Sequence, residues 1–284
     1  MERWAFTSDG RWKRGRLWGL RNRCISRLSQ RLDRSLCGPR FYWLFILGVN
    51  NSGTTLLARA LETHPLIQGL PEEGQLLTNA LPRPDRYGVV RIWTQRMDVF
   101  RLLEEDDPYP ALRAKMAWWR YYRRGGGILL EKSPPNTLRS RWLQHNFRPN
   151  KFIAVTRDPY AVCAGIKRRE AYDIERAARH WSLANRCLIE DAGYLMSLMW
   201  IRYEDFVSEP ELTMRRLEKF LGVDEPFETE RFLMVSSHSV DGTTTGLQNL
   251  NSRNMGHLTN DEAKIITRVA EDVMSALGYP ALEF

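Results

Sequence analysis

From Tyr42 to Leu47 every position is apolar, and the run stops at Gly48. A short unbroken apolar stretch ending in a turn signal reads as a strand buried on both faces. Thr54 to Thr63 then carries helical periodicity and halts at His64-Pro65. The same alternation recurs along the chain. Further strands are predicted at Leu66 to Gly69, Gly127 to Glu131, Phe152 to Thr156 and Met199 to Tyr203. Helices are predicted at Asp98 to Glu105, Ala111 to Arg124, Thr137 to Asn146, Tyr160 to Arg169, Asp173 to Met196, Glu209 to Leu221 and Thr259 to Leu277. Gly222 and Gly278 serve as helix stops. Asp224 to Asn254 is polar, rich in Ser, Thr, Asn and Gly, and reads as irregular. Strands separated by helices predict an α/β body whose parallel central sheet is flanked by helices.

Ahead of this body the pattern differs. Trp18, Ile25 and Leu32 recur every seven residues, Leu28 and Leu36 fall near the same face, and arginines fill the rest. Arg11 to Leu36 therefore reads as an amphipathic helix closed by Gly38-Pro39. Two units follow: an arm over 1–40 and a body over 41–284. Charge sharpens the division. The arm holds 11 of the 42 Lys/Arg and 3 of the 34 Asp/Glu, leaving 31 of each sign in the body. The net charge of +8 thus belongs to the arm, and a general nucleic-acid surface on the body is not indicated. The arm suits either an anionic membrane surface or an acidic partner, or a helix docked on the core with its arginines in water. The apolar runs are too short for a membrane span and no secretory pattern is present. The four cysteines show no metal-binding spacing. The expectation is a cytoplasmic protein, with peripheral membrane contact through the arm.

The chemistry concentrates at the ends of predicted strands. Gly48 and Gly53 bracket four residues between a strand and a helix, so backbone amides converge at a helix N-terminus. Ser52, Thr54 and Thr55 add hydroxyls. A nucleotide triphosphatase loop would carry lysine where Thr54 stands, which directs the reading to another phosphate-bearing donor. Arg157, in Thr156-Arg157-Asp158-Pro159 after a second strand, supplies a fork suited to phosphate.

These features together resemble the sulfotransferases that use 3′-phosphoadenosine 5′-phosphosulfate (PAPS). The resemblance rests on Ser52-Gly53-Thr54-Thr55-Leu56, Thr156-Arg157-Asp158-Pro159, Ile201-Arg202-Tyr203-Glu204-Asp205-Phe206 with Phe220-Leu221-Gly222, and Leu277-Gly278-Tyr279. It covers Tyr42 to Tyr279 and implies a P-loop-NTPase-like fold. The motif placement is closest to the protein-tyrosine and glycan branches. By resemblance, Asn51, Ser52, Gly53, Thr54 and Thr55 hold the 5′-phosphosulfate, and Arg157, Gly165 and Arg253 lie at the 3′-phosphate. Two of these depart from the family: Asn51 stands where many members have Lys or Arg, and Gly165 where serine is usual. Lys167, Arg168 or Arg253 could compensate. Lys132, after the strand Leu129-Leu130-Glu131, matches the catalytic lysine and would stabilise charge on the leaving phosphate. Glu72, with Glu73 beside it, would take the acceptor's proton. His64 reads as helix-terminal. Thr243, Thr244, Thr245, Asn249, Asn251, Ser252 and Arg253 belong to a late polar loop that would close over the donor, and Leu56 stands where the family often stacks an aromatic on adenine. The resemblance implies PAPS as donor, 3′-phosphoadenosine 5′-phosphate (PAP) as product, a hydroxyl-bearing acceptor and no metal. The alternatives are a non-catalytic nucleotide-binding or membrane-associated module, and a P-loop kinase.

Overall fold

The computed structural model describes residues 4–6, 12–14, 16–36, 41–122, 127–235 and 246–282. Two short strands, β1 (Trp4–Phe6) and β2 (Trp12–Arg14), precede helix α1 (Arg16–Leu36). The body follows with β3 (Tyr42–Leu47), α2 (Thr54–Leu61), β4 (Ile67–Gly69), α3 (Met97–Phe100), α4 (Tyr109–Trp119), β5 (Ile128–Lys132), α5 (Ser140–Asn146), β6 (Asn150–Thr156) and α6 (Pro159–Glu170). It continues through α7 (Ile174–Ala192), β7 (Leu198–Arg202), α8 (Tyr203–Ser208), α9 (Pro210–Leu221), α10 (Thr229–Leu233), α11 (Asn251–Met255) and α12 (Asn260–Ala276).

The main sheet has the order β4-β5-β3-β6-β7, with every pair parallel. Both faces of β3 are buried, which explains its unbroken apolar run. Leu44 and Ile46 pack with α2 and α9 through Leu57, Leu61 and Leu217. Trp43, Phe45 and Leu47 face the other way, into a cluster with Trp118, Trp142 and Phe147. A third cluster joins α6, α7 and α12 around Trp93, Tyr160 and Trp181. From β3 the chain leaves toward β4 on one side; from β6 it leaves toward β7 on the other. The carboxyl ends of β3 and β6 therefore part at a topological switch point, where a crevice opens.

Several boundaries shift from expectation. The arm helix starts at Arg16, because Trp12 to Arg14 pairs with Trp4 to Phe6 as an antiparallel ladder. The helix predicted over Asp98 to Glu105 is one turn, Met97–Phe100, since Arg101 turns extended and forks onto Asp191 at 2.6 and 2.7 Å. Thr137 to Asn146 opens as a tighter 3₁₀ turn before α5. The stretch read as irregular contains α10 and α11. The proposed Gly38-Pro39 stop and Thr243, Thr244 and Thr245 lie outside the described residues.

The arm helix is docked on the body. Asp33 and Lys115 of α4 are both buried and their charged atoms lie 2.5 Å apart. Lys115 also donates to Ser29 Oγ (2.8 Å) and to the Asn146 carbonyl (2.6 Å). Asp33 accepts in addition from Trp43 Nε1 at 3.2 Å. Arg21, Arg23, Arg27 and Arg31 face outward. Among the described residues no helix is long and apolar enough to cross a membrane.

Candidate active site

The loop after β3 is shaped by backbone conformations that few residues adopt. Gly53, at the head of α2, takes φ 91°, and a Cβ there would sit 2.6 Å from the Tyr203 ring. Asn51 also has positive φ (68°), a conformation that Asn tolerates better than most residues. The amide of Ser52 closes a turn onto the Val49 carbonyl (3.1 Å), and its side chain is buried. Asn51, Gly53, Thr54 and Thr55 line a cavity of about 250 Å³ at the switch point, and Ser52 does not. Ser52 lies beneath the loop as part of the turn.

Arg157 closes the far wall of the same cavity. Its Nε donates to Asn251 Oδ1 (2.8 Å) and its Nη1 to the Asn51 carbonyl (2.9 Å). The guanidinium lies 3.9 Å from the Tyr203 ring centroid. Among the described residues its Nη2 is buried without a hydrogen-bond partner, as is Asn51 Nδ2. Burial lowers the Arg157 pKa, partly offset by nearby Tyr203 and Glu204. Asp158 does not pair with Arg157; it caps α6 by accepting from Ala161 N at 3.0 Å.

The motif Ile201 to Phe206 fastens this wall. Tyr203 donates its hydroxyl to the Gln248 carbonyl (2.8 Å) and accepts from Leu250 N (3.2 Å). Glu204 accepts from Asp158 N (3.0 Å), Asn251 Nδ2 (2.7 Å) and Tyr279 (3.2 Å). The late polar loop is thus held against Arg157, with Leu250, Arg253 and Asn254 in the lining.

Gly165 also lines the cavity, and a Cβ on it would sit 3.1 Å from Asn51 Nδ2. The two departures from the family pattern therefore meet: the amide at 51 fills space beside the glycine at 165. Of the cations expected to compensate, Arg168 and Arg253 line the cavity. Lys167 does not; it pairs with Glu262 at 2.5 Å. Arg91 and Arg169 join them, and neither was expected. Arg91 holds positive φ (61°), bonds Glu170 at 2.8 Å and reaches Asn51 Oδ1 at 3.4 Å. Burial, reinforced by Arg91 and Arg168, lowers the pKa of Arg169. Arg169 had a legible signal, four residues beyond Gly165 on one helix face; Arg91 had none.

At the other end, Lys132 Nζ lies 3.2 Å from Glu73 Oε1, and both line the cavity. Glu72 is exposed and outside the lining. Of the two candidate carboxylates, Glu73 is the one that the turn after Pro71 sets beside Lys132. His64 is buried, bonded to the Glu225 carbonyl (2.9 Å) and to Leu66 N (3.2 Å), so it closes α2 as expected. Among the described residues the lining carries six cations, Arg91, Lys132, Arg157, Arg168, Arg169 and Arg253, against one carboxylate, Glu73.

Comparison with known proteins identifies the fold that carries this cavity. The pattern of the Sulfotransferase family matches residues 44–228. The chain belongs to the sulfotransferase family. Its fold is similar to that of the sulfotransferase domain from the Synechococcus PCC 7002 olefin synthase, with a TM-score of 0.56 and 21% identity, covering 86% of this chain and 96% of that one. The sulfotransferase domain from the curacin biosynthetic pathway gives 0.51 and 22%, covering 84% and 98%. Over 127 residues, 43% of this chain, it is 30% identical to the nodulation protein NoeE of Sinorhizobium fredii (strain NBRC 101917 / NGR234). That stretch spans 30% of the NoeE length.

Proposed function

We propose that this sulfotransferase-family chain transfers a sulfuryl group from PAPS to an acceptor hydroxyl on a carbohydrate, lipid, small metabolite or protein tyrosine. The observation that carries the reading is the cavity's charge: six cations and one carboxylate enclose a helix N-terminus and two buried open donors. A body with balanced overall charge that gathers such an excess in one crevice is suited to a multiply charged anion. The residues present fit PAPS. Gly53, Thr54 and Thr55 would hold its 5′ end in a P-loop-like turn. Arg157 Nη2, Asn51 Nδ2, Arg91 and Arg253 would hold the 3′-phosphate beside Gly165. Leu56, Leu250 and Tyr203 form the less polar wall. In this reading residues 41–284 make the catalytic domain and 1–40 a docked arm.

When bound, PAPS supplies an activated sulfuryl group whose transfer leaves negative charge on a phosphate oxygen. Lys132 offers a fixed cation to such charge in a low-dielectric crevice. Glu73, 3.2 Å from Lys132, would accept the proton of the incoming hydroxyl.

Calorimetric titration with PAP against ATP, followed by transfer from labelled PAPS, tests the reading. PAP binds in preference to ATP, and Arg157→Ala and Arg91→Ala each weaken PAP about tenfold or more, as expected for a lost charge-assisted contact. Both variants leave adenosine 5′-phosphate nearly unaffected. Equal losses for the two nucleotides, or ATP binding as tightly as PAP, would defeat it.

A further inference from the structure

Glu131 precedes Lys132 on β5, yet its carboxylate points away from solvent and is fully enclosed. Oε1 accepts from the Gly74 amide at 2.9 Å and from Ser133 Oγ, and Oε2 accepts from Asn136 Nδ2. Trp118 Nε1 grips the other side of the same residue, donating to the Gly74 carbonyl at 2.8 Å. A Cβ at position 74 would lie 2.6 Å from Trp118 and 2.7 Å from Glu131, so only glycine enters this clamp. Gly74, the residue after Glu73, is therefore held at both its amide and its carbonyl. An enclosed carboxylate costs several kcal/mol unless its lone pairs are satisfied, and here all three donors come from the loops that flank the Lys132–Glu73 pair.

From this we infer that Glu131 is a positioning residue: through the Gly74 amide it fixes the Glu73 carboxylate against the Lys132 ammonium, its own neighbour in the chain. The inference deepens the proposed function and rests on Glu73 acting as base. A glutamine at 131 can keep its one oxygen on the Gly74 and Ser133 donors and lose only Asn136, whereas an alanine removes the acceptor of the Gly74 amide.

The test is a double-mutant cycle on the full chain. Glu131→Ala lowers kcat about 10²-fold, the loss expected for a reacting group displaced by an ångström, with KM for PAPS little changed. In a Glu73→Gln background the same substitution adds little. Hydrogen exchange at the Gly74 amide, read without any nucleotide, speeds up in Glu131→Ala, which lacks its acceptor. Should Glu131→Ala not fold, Trp118→Phe releases the Gly74 carbonyl and enters the same cycle. Losses that multiply across the cycle, or an unchanged Gly74 exchange rate, overturn the inference. A wild-type chain inactive with PAPS refutes the proposed function instead, and the exchange measurement then decides the clamp alone.

Discussion

Replacing Asp33 by alanine tests whether the arm is an appendage or part of the fold. The substitution takes from Lys115, 1% exposed, the carboxylate 2.5 Å away. It also strips Trp43 Nε1 of its acceptor. Removing one partner of a buried ion pair costs about 3–5 kcal/mol, because the remaining charge is uncompensated. For a chain of 284 residues the unfolding entropy is roughly 0.6 kcal/mol/K, so Tm should fall by about 5–8 °C. The paired replacement Asp33→Leu with Lys115→Met should restore most of that loss. Well-packed apolar residues of similar volume commonly match or exceed a buried ion pair; burial raises the Asp33 pKa even against the attraction of Lys115. Differential scanning calorimetry of the two single variants and the double variant measures all of this. A Tm shift below about 2 °C in Asp33→Ala, or single losses that simply add in the double variant, would refute the buried pair and return the arm to an independent unit. Truncation at Arg40 should destabilise the body by the same mechanism.

Two further outcomes follow from groups inside the body. Lys132→Ala should lower kcat by roughly 10²–10³-fold while PAP affinity changes little, since the lysine meets charge that develops only during transfer; unchanged turnover in a steady-state assay would remove its role. His180 is enclosed, with Nδ1 bonded to Thr94 Oγ1 at 2.8 Å and its ring edge-on to Trp93. Burial pushes its pKa down to about 3. Below about pH 6.5 the unfolded chain binds a proton that the native state refuses, so this stability is present above 6.5 and is lost as pH falls toward 3. Between pH 7 and 5 the loss is about 2 kcal/mol, and urea unfolding of His180→Gln at the two pH values should lack that component; identical pH dependence in both proteins would show that His180 is not buried neutral.

Much of the scaffold was legible because burial on both faces of a sheet leaves a simple mark. The apolar runs at Tyr42 and Phe152 could only be interior strands, and each strand was found within a residue or two. That Gly53, Thr54, Thr55, Arg157 and Lys132 follow strand ends was legible as well, and with Arg253 they line one crevice. Choosing between Glu72 and Glu73 was beyond the sequence. The two differ by one turn position, and the direction of that turn is set by Glu131 and Trp118 from distant segments. Which way the Ser52 hydroxyl faces was beyond the sequence for a related reason: only the folded turn sets it.

By itself the sequence determined the alternation of strand and helix, the loop after β3 and the segregation of net charge into the arm, since each depends on neighbours along the chain. Tertiary structure decided three things that depend on groups far apart in sequence. It brought Arg91, Arg168 and Arg169 to Arg157, building a strongly positive crevice in a body of balanced charge. It set Asn51 against Gly165, so that two separate departures became one contact. It sealed Asp33 against Lys115, turning a basic arm into part of the core. Coulomb attraction, burial and shape act through space, and only the folded chain says which charges are neighbours.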